Sequence, residues 1–98
     1  MFALRMPDDA VFSHATSALL FRAPLPFALE AYPRVHIAVP YPARAPHAAG
    51  ILGHSLDLAP GDVVESNGLR HTSAARTWCD MSASLSLLDL VALGDYLI

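Results

Sequence analysis

Asp62-Val63-Val64-Glu65-Ser66-Asn67-Gly68-Leu69-Arg70-His71-Thr72 carries the strongest local structural signal in the chain. Asn67 and Gly68 suit the positive φ angles of a type I′ turn, whose twist matches two antiparallel strands. Val63 and Val64 on one side, and Leu69 to Thr72 on the other, supply those strands. An antiparallel hairpin over 62–72 is therefore predicted.

Toward the C-terminus, Thr72 or Ser73 can cap a helix from Ala74 to about Ala83, because a hydroxyl accepts from an orphan amide of the first turn. Ser86 and Asp89 form a Ser-x-x-Asp variant of the capping box and open a last helix to Ile98. Toward the N-terminus, Leu52, His54, Leu56 and Leu58 alternate with Gly53, Ser55 and Asp57 as in a half-buried strand. Pro60 and Gly61 turn the chain from it into the hairpin. Val35, Ile37 and Val39 alternate in the same way between Pro33 and Pro40, and Tyr41 to Gly50 reads as a loop. Upstream, helical spacing runs from Val11 to Phe21 behind Asp8 and Asp9. Alternatively, Ser13 caps a shorter helix from His14 to Arg22, and Pro24 and Pro26 stop either version.

The predicted class is α+β, with order α-β-β-β-β-α-α in a single small module over 1–98. Residues 1–12 read as an N-terminal extension, and the module is compatible with being a fragment of a larger regulator. At 98 residues the chain has room for one core. Its hydrophobic content is 54%, against about 45–50% in a typical soluble domain. The last helix carries much of the excess: Leu87, Leu88, Leu90, Val91, Leu93, Tyr96, Leu97 and Ile98 leave no polar face, which predicts burial on more than one side. A core helix would satisfy that pattern. So would a helix packed on another subunit or domain, which makes Leu87, Leu90, Val91, Tyr96 and Leu97 the candidate interface.

Charge narrows the function classes. Six Arg and no Lys stand against nine acidic residues, for a net charge of −3. The Arg residues are scattered, so no basic stripe exists to displace counterions from a phosphate backbone, and direct nucleic-acid binding is not expected. Cys79 is the lone cysteine, so an intrachain disulfide is impossible. A reducing cytoplasm is the expected compartment. Neither a signal peptide nor a membrane span is legible.

No catalytic centre can be read from spacing. Ser73, His71 and Asp80 have the residue types of a hydrolase triad, but no nucleophile elbow or Gly-rich oxyanion loop accompanies them. The five histidines lack the close pairing of zinc motifs, so no metal and no cofactor are expected. His36 and His54 could face one another across neighbouring strands. Cys79, beside Trp78 in a helix, reads as a buried structural thiol. Arg76 and Asp80, four apart, are expected to form an ion pair.

Several motifs recur in a recognisable order. They are Ser13-His14-Ala15-Thr16-Ser17-Ala18-Leu19-Leu20, Ala23-Pro24-Leu25-Pro26, Val35-His36-Ile37-Ala38-Val39-Pro40, Asp62-Val63-Val64 and Asn67-Gly68-Leu69. Thr72-Ser73-Ala74-Ala75-Arg76-Thr77-Trp78-Cys79-Asp80 follows them. Together they resemble the middle region of AbiEi-like antitoxins and transcriptional regulators, whose matching segment reads Thr-Ser-x-x-Arg-Thr-x-x-Asp. In that family the region usually follows a winged-helix domain and, in many members, precedes a domain similar to very-short-patch-repair endonucleases. Neither is in this sequence, and the loop at 41–50 carries only Arg44 where the family tends to carry several Arg.

The resemblance implies a non-enzymatic, antitoxin-like regulatory module that works by contact with a protein partner or by self-association. Two alternatives are a scaffold remnant of a nuclease fusion and a small-ligand module with histidines in a cleft. A neighbouring nucleotidyltransferase toxin gene would favour the first, and a downstream nuclease reading frame the remnant.

Overall fold

The structure, a computed structural model, describes residues 9–23, 25 and 34–97. Strands β1 (Val11–Phe12), β2 (Val35–Pro40), β3 (Ile51–Leu56), β4 (Val63–Ser66) and β5 (Leu69–Thr72) form one mixed sheet in the order β3-β2-β1-β5-β4. Helices α1 (His14–Leu20), α2 (Ala74–Met81) and α3 (Leu87–Leu97) complete an α+β domain. The stops assigned to Pro24, Pro26 and Pro33, and the end at Ile98, lie outside the described residues.

The hairpin forms as its turn chemistry dictates. Asn67 and Gly68 sit at φ 52° and 79°, and Val63 to Ser66 pair antiparallel with Thr72 to Leu69. Ser73 caps α2, its hydroxyl accepting from the Arg76 amide. Ser86 accepts from the Asp89 amide and donates to its carboxylate, opening α3.

Of the two starts left open for the first helix, the structure has the later one: α1 begins after Ser13, but it ends at Leu20 and not Arg22, and the Ser13 hydroxyl makes no capping bond and lies 2.8 Å from His14 Nδ1. Val11 and Phe12, placed by the sequence in either a helix or an extension, instead make the central strand. Val11 is fully buried, and β1 pairs antiparallel with β2 and parallel with β5. Two residues are too few for a period to show, and tertiary pairing decides them. β3 ends at Leu56, so Leu58 falls in the connection to a 3-10 turn at Pro60–Asp62.

β2 and β3 run parallel, joined only by the 41–50 loop. That loop lies against β3: Ser55 donates its hydroxyl hydrogen to the Ala43 carbonyl, and a side chain at Gly53 would overlap the Pro46 carbonyl. Ile37 and Val39 pack with Ala10, Phe12 and Ile51 in one apolar cluster. A second cluster joins the helices through Ala15, Ala18, Leu25, Met81 and Leu93. Between α1, β5 and α2 lies a buried polar knot. Ser17 donates to the Thr72 carbonyl at 3.0 Å, and the Thr72 and Thr77 hydroxyls are 2.7 Å apart. His71 Nδ1 lies 3.0 Å from the Thr72 carbonyl and 3.2 Å from the Ser17 hydroxyl, which ties the imidazole into the knot.

Candidate functional site

Two features stand out: a histidine cluster at the start of α1, and an apolar groove between α2 and α3.

The parallel register sets His36 opposite Leu52 and His54 opposite Ala38, so the two histidines are diagonal neighbours on one face of the sheet. His36 Nδ1 and His54 Nε2 are 2.9 Å apart. The end of α1 is stitched above them. The Ser13 amide donates to the His36 carbonyl, and the His36 amide donates to the Thr16 hydroxyl. His14 enters the helix at φ 51°, a left-handed conformation that is costly for a residue with a Cβ. Its ring stacks on His54 with centroids 3.9 Å apart and lies 5.4 Å from that of His36. One ligand nitrogen from each ring falls within 4.8 Å of the other two, and all three residues are half-buried.

This environment keeps the rings neutral. Burial pushes the His14 pKa down to about 4, helped by repulsion from His54, His36 and Arg76. His36 is lowered first by burial, then by His54 and Arg34. His54 is lowered by burial, against the opposing pull of Asp80. The sequence offered the His36 and His54 pair as a possibility. His14 was not legible, because nothing in Ser13-His14 announces a left-handed helix start.

Behind the cluster, Arg76 Nε donates to Asp80 Oδ1 at 3.0 Å. Arg76 Nη1 donates to the Asp57 carbonyl and lies 3.6 Å from Asp62 Oδ2. The Asp80 side chain is 8% exposed and that of Arg76 22%. Burial raises the Asp80 pKa despite the Arg76 guanidinium beside it. Asp80 Oδ2 is buried and accepts no hydrogen bond from the described residues.

The triad residue types are each committed elsewhere: Ser73 to its cap, His71 to the polar knot and Asp80 to Arg76.

The last helix departs from the expectation of burial on more than one side. Among the described residues of α3 only Leu93 is fully buried, while Leu87 is 77%, Leu88 83% and Val91 51% exposed. Of the candidate interface, Leu90 and Leu97 are half-buried, and Tyr96 is exposed with its hydroxyl donating to the Phe21 carbonyl. Cys79 also differs from expectation. It is exposed, since α2 turns it away from the Met81 face of the core. Cys79 lines a groove of about 570 Å³ with Ala74, Ala75 and Trp78 of α2 and Val91, Gly94, Asp95 and Leu97 of α3. Trp78 fixes its floor by donating its indole hydrogen to the Leu90 carbonyl, and a Cβ at Gly94 would approach that nitrogen to 2.7 Å.

Comparison with protein-family models, curated proteins and solved structures finds no match to this chain. The likeness to AbiEi-like proteins rests on its motifs alone. Among the described residues, no helix is long and apolar enough to cross a membrane.

Proposed function

We propose that this chain is a non-enzymatic, cytoplasmic interaction module of the regulatory, antitoxin-like kind, which docks an amphipathic helix of a partner protein in the groove between α2 and α3. The observation carrying this reading is that groove, walled by two helices, with Val91 of its lining exposed and Leu87 and Leu88 exposed on the same helix. Apolar surface arranged along a helix-sized furrow is the geometry that receives an apolar helical ridge, and leaving it in water forgoes burial free energy.

Charge selects the occupant. α3 carries Asp89 and Asp95 and no cation. An antiparallel pairing of α3 with a second copy, centred on Ala92, would oppose Asp89 to the copy's Asp95. A partner helix flanked by Lys or Arg meets these carboxylates favourably. The motifs resembling AbiEi-like regulators fit a module that works by protein contact.

Trp78, the sole tryptophan, lines the groove and gives a direct readout. Titration with a designed amphipathic helical peptide, Leu-ridged and Lys-flanked, is expected to shift Trp78 emission saturably to the blue. A Glu-flanked version should bind at least about tenfold more weakly, and Val91→Asp should abolish the shift. Equal binding of both peptides, or of neither, contradicts the proposal. A stable homodimer with Trp78 already buried would instead assign the face to a second copy and overturn the choice of occupant.

A further inference from the structure

A second site, separate from the groove and from the reading built on it, lies where α1, β2 and β3 converge. We propose that His14, His36 and His54 together bind one divalent transition-metal ion of the zinc class, with Asp80 as the carboxylate that balances its charge.

Three elements distant in sequence each contribute one imidazole to the same spot. Tetrahedral zinc with nitrogen ligands at about 2.0–2.1 Å places those nitrogens about 3.3 Å apart. The His36 and His54 nitrogens, at 2.9 Å, need to part slightly, and the widest separation in the set, within 4.8 Å, needs to close by about 1.5 Å. The rings now stack nearly parallel, at 19° for His14 on His54 and 6° for His36 on His54, so ligation also requires them to turn until their nitrogens converge and the proton between His36 Nδ1 and His54 Nε2 to leave. His14 Nδ1 is 2.8 Å from the Ser13 hydroxyl, which can fix that nitrogen and leave Nε2 to ligate. An outer-shell partner of this sort is what metal-ligating imidazoles commonly have.

Two further observations point to a cation. His14 holds an unfavourable left-handed φ that delivers its ring to the other two. Asp80 Oδ2 is buried without a hydrogen-bond donor among the described residues, and Asp80 is close enough to His54 for each to influence the other's ionisation. Arg76 and Arg34 oppose a cation here. Asp80 and Asp62, both on Arg76, offset its charge. An all-nitrogen set selects zinc, nickel, copper or cobalt over magnesium and calcium, which prefer oxygen. The ion would add a side-chain cross-link among the edge strand β3, β2 and the start of α1, on top of the parallel β2–β3 ladder and the Ser13 and Thr16 hydrogen bonds to His36.

The test is calorimetric titration of Zn²⁺ into the chelator-stripped full chain, with Co²⁺ absorption reporting tetrahedral ligation. One ion per chain is expected. His14→Ala, His36→Ala and His54→Ala should each weaken binding on the order of a hundredfold, His47→Ala in the loop should leave it unchanged, and Asp80→Asn should weaken it about tenfold. Imidazole nitrogen NMR of the wild type needs no variant, and on adding Zn²⁺ the shifts should fall on His14, His36 and His54. Absence of stoichiometric binding, binding untouched by the three variants, or shifts confined to His47 or His71 would overturn the site. Unchanged affinity in Asp80→Asn would overturn the part given to Asp80.

Discussion

Arg76→Ala removes the only side-chain donor, among the described residues, to a carboxylate that is 8% exposed, together with the hydrogen bond to the Asp57 carbonyl. Breaking a fully buried pair costs about 3–5 kcal/mol. Arg76 is 22% exposed, so water screens part of the interaction, and we expect about 2–3 kcal/mol at pH 7. The loss should depend on pH. Burial already holds the Asp80 pKa above its usual value, and removing the cation raises it further. A raised folded-state pKa means that the folded protein keeps the proton longer than the unfolded chain. The associated stability is present below the unfolded value of 3.8 and is lost as pH rises through the folded one. The penalty should therefore be smallest near pH 4 and reach its full size above the Asp80 pKa. Urea unfolding of wild type, Arg76→Ala, Asp80→Ala and the double variant at several pH values measures both the loss and the coupling. A change within about 0.5 kcal/mol at pH 7, with no coupling in the cycle, would refute the reasoning and make the pair a solvated surface contact.

Other substitutions probe the frame around both sites. Gly68→Val should cost about 1–3 kcal/mol, because φ is 79° there while the space around it is open, so the penalty is purely conformational; Asn67→Gly should be tolerated. Gly53→Ala should displace the 41–50 loop from β3, lowering the melting temperature and accelerating tryptic cleavage after Arg44; unchanged cleavage would mean that the loop is not seated on Gly53. In chelator, stability should fall as pH drops from about 6.5 to about 4, because His14 stays neutral in the fold while the unfolded chain takes up its proton. Since the ring is half-exposed, its share is about 1–2 kcal/mol rather than the full shift, and His14→Gln should flatten the profile.

How far these features were legible follows from the range of the interactions behind them. Asn67-Gly68, the Ser73 cap and the Ser86 and Asp89 pair act within four residues, so local chemistry specifies them. The run from Val35 to Val39 announces β2, but its burial does not alternate as the pattern predicts: Val35 is exposed at the strand's start and Ala38 is as buried as Ile37 and Val39, because the strand is covered on both faces at its centre. β1 was invisible, being two residues long and defined by its neighbours. The apolar α3 could be read as core or interface from composition alone, and only packing shows that Leu87, Leu88 and Val91 point outward. Cys79 and Trp78 were adjacent helical positions until α3 was laid across them. The three histidines are 22 and 18 residues apart in sequence, and the parallel register together with a left-handed residue brings them together.

Residue-resolved amide NMR of the full chain, titrated with the Lys-flanked amphipathic peptide, tests whether the groove between α2 and α3 is the docking site. Saturable shifts are expected on Ala74 to Cys79 and Leu87 to Leu97, with β2, β3 and the histidines unmoved. Shifts centred on the β3 edge or the 41–50 loop, or none at concentrations where the free peptide is helical, would contradict it.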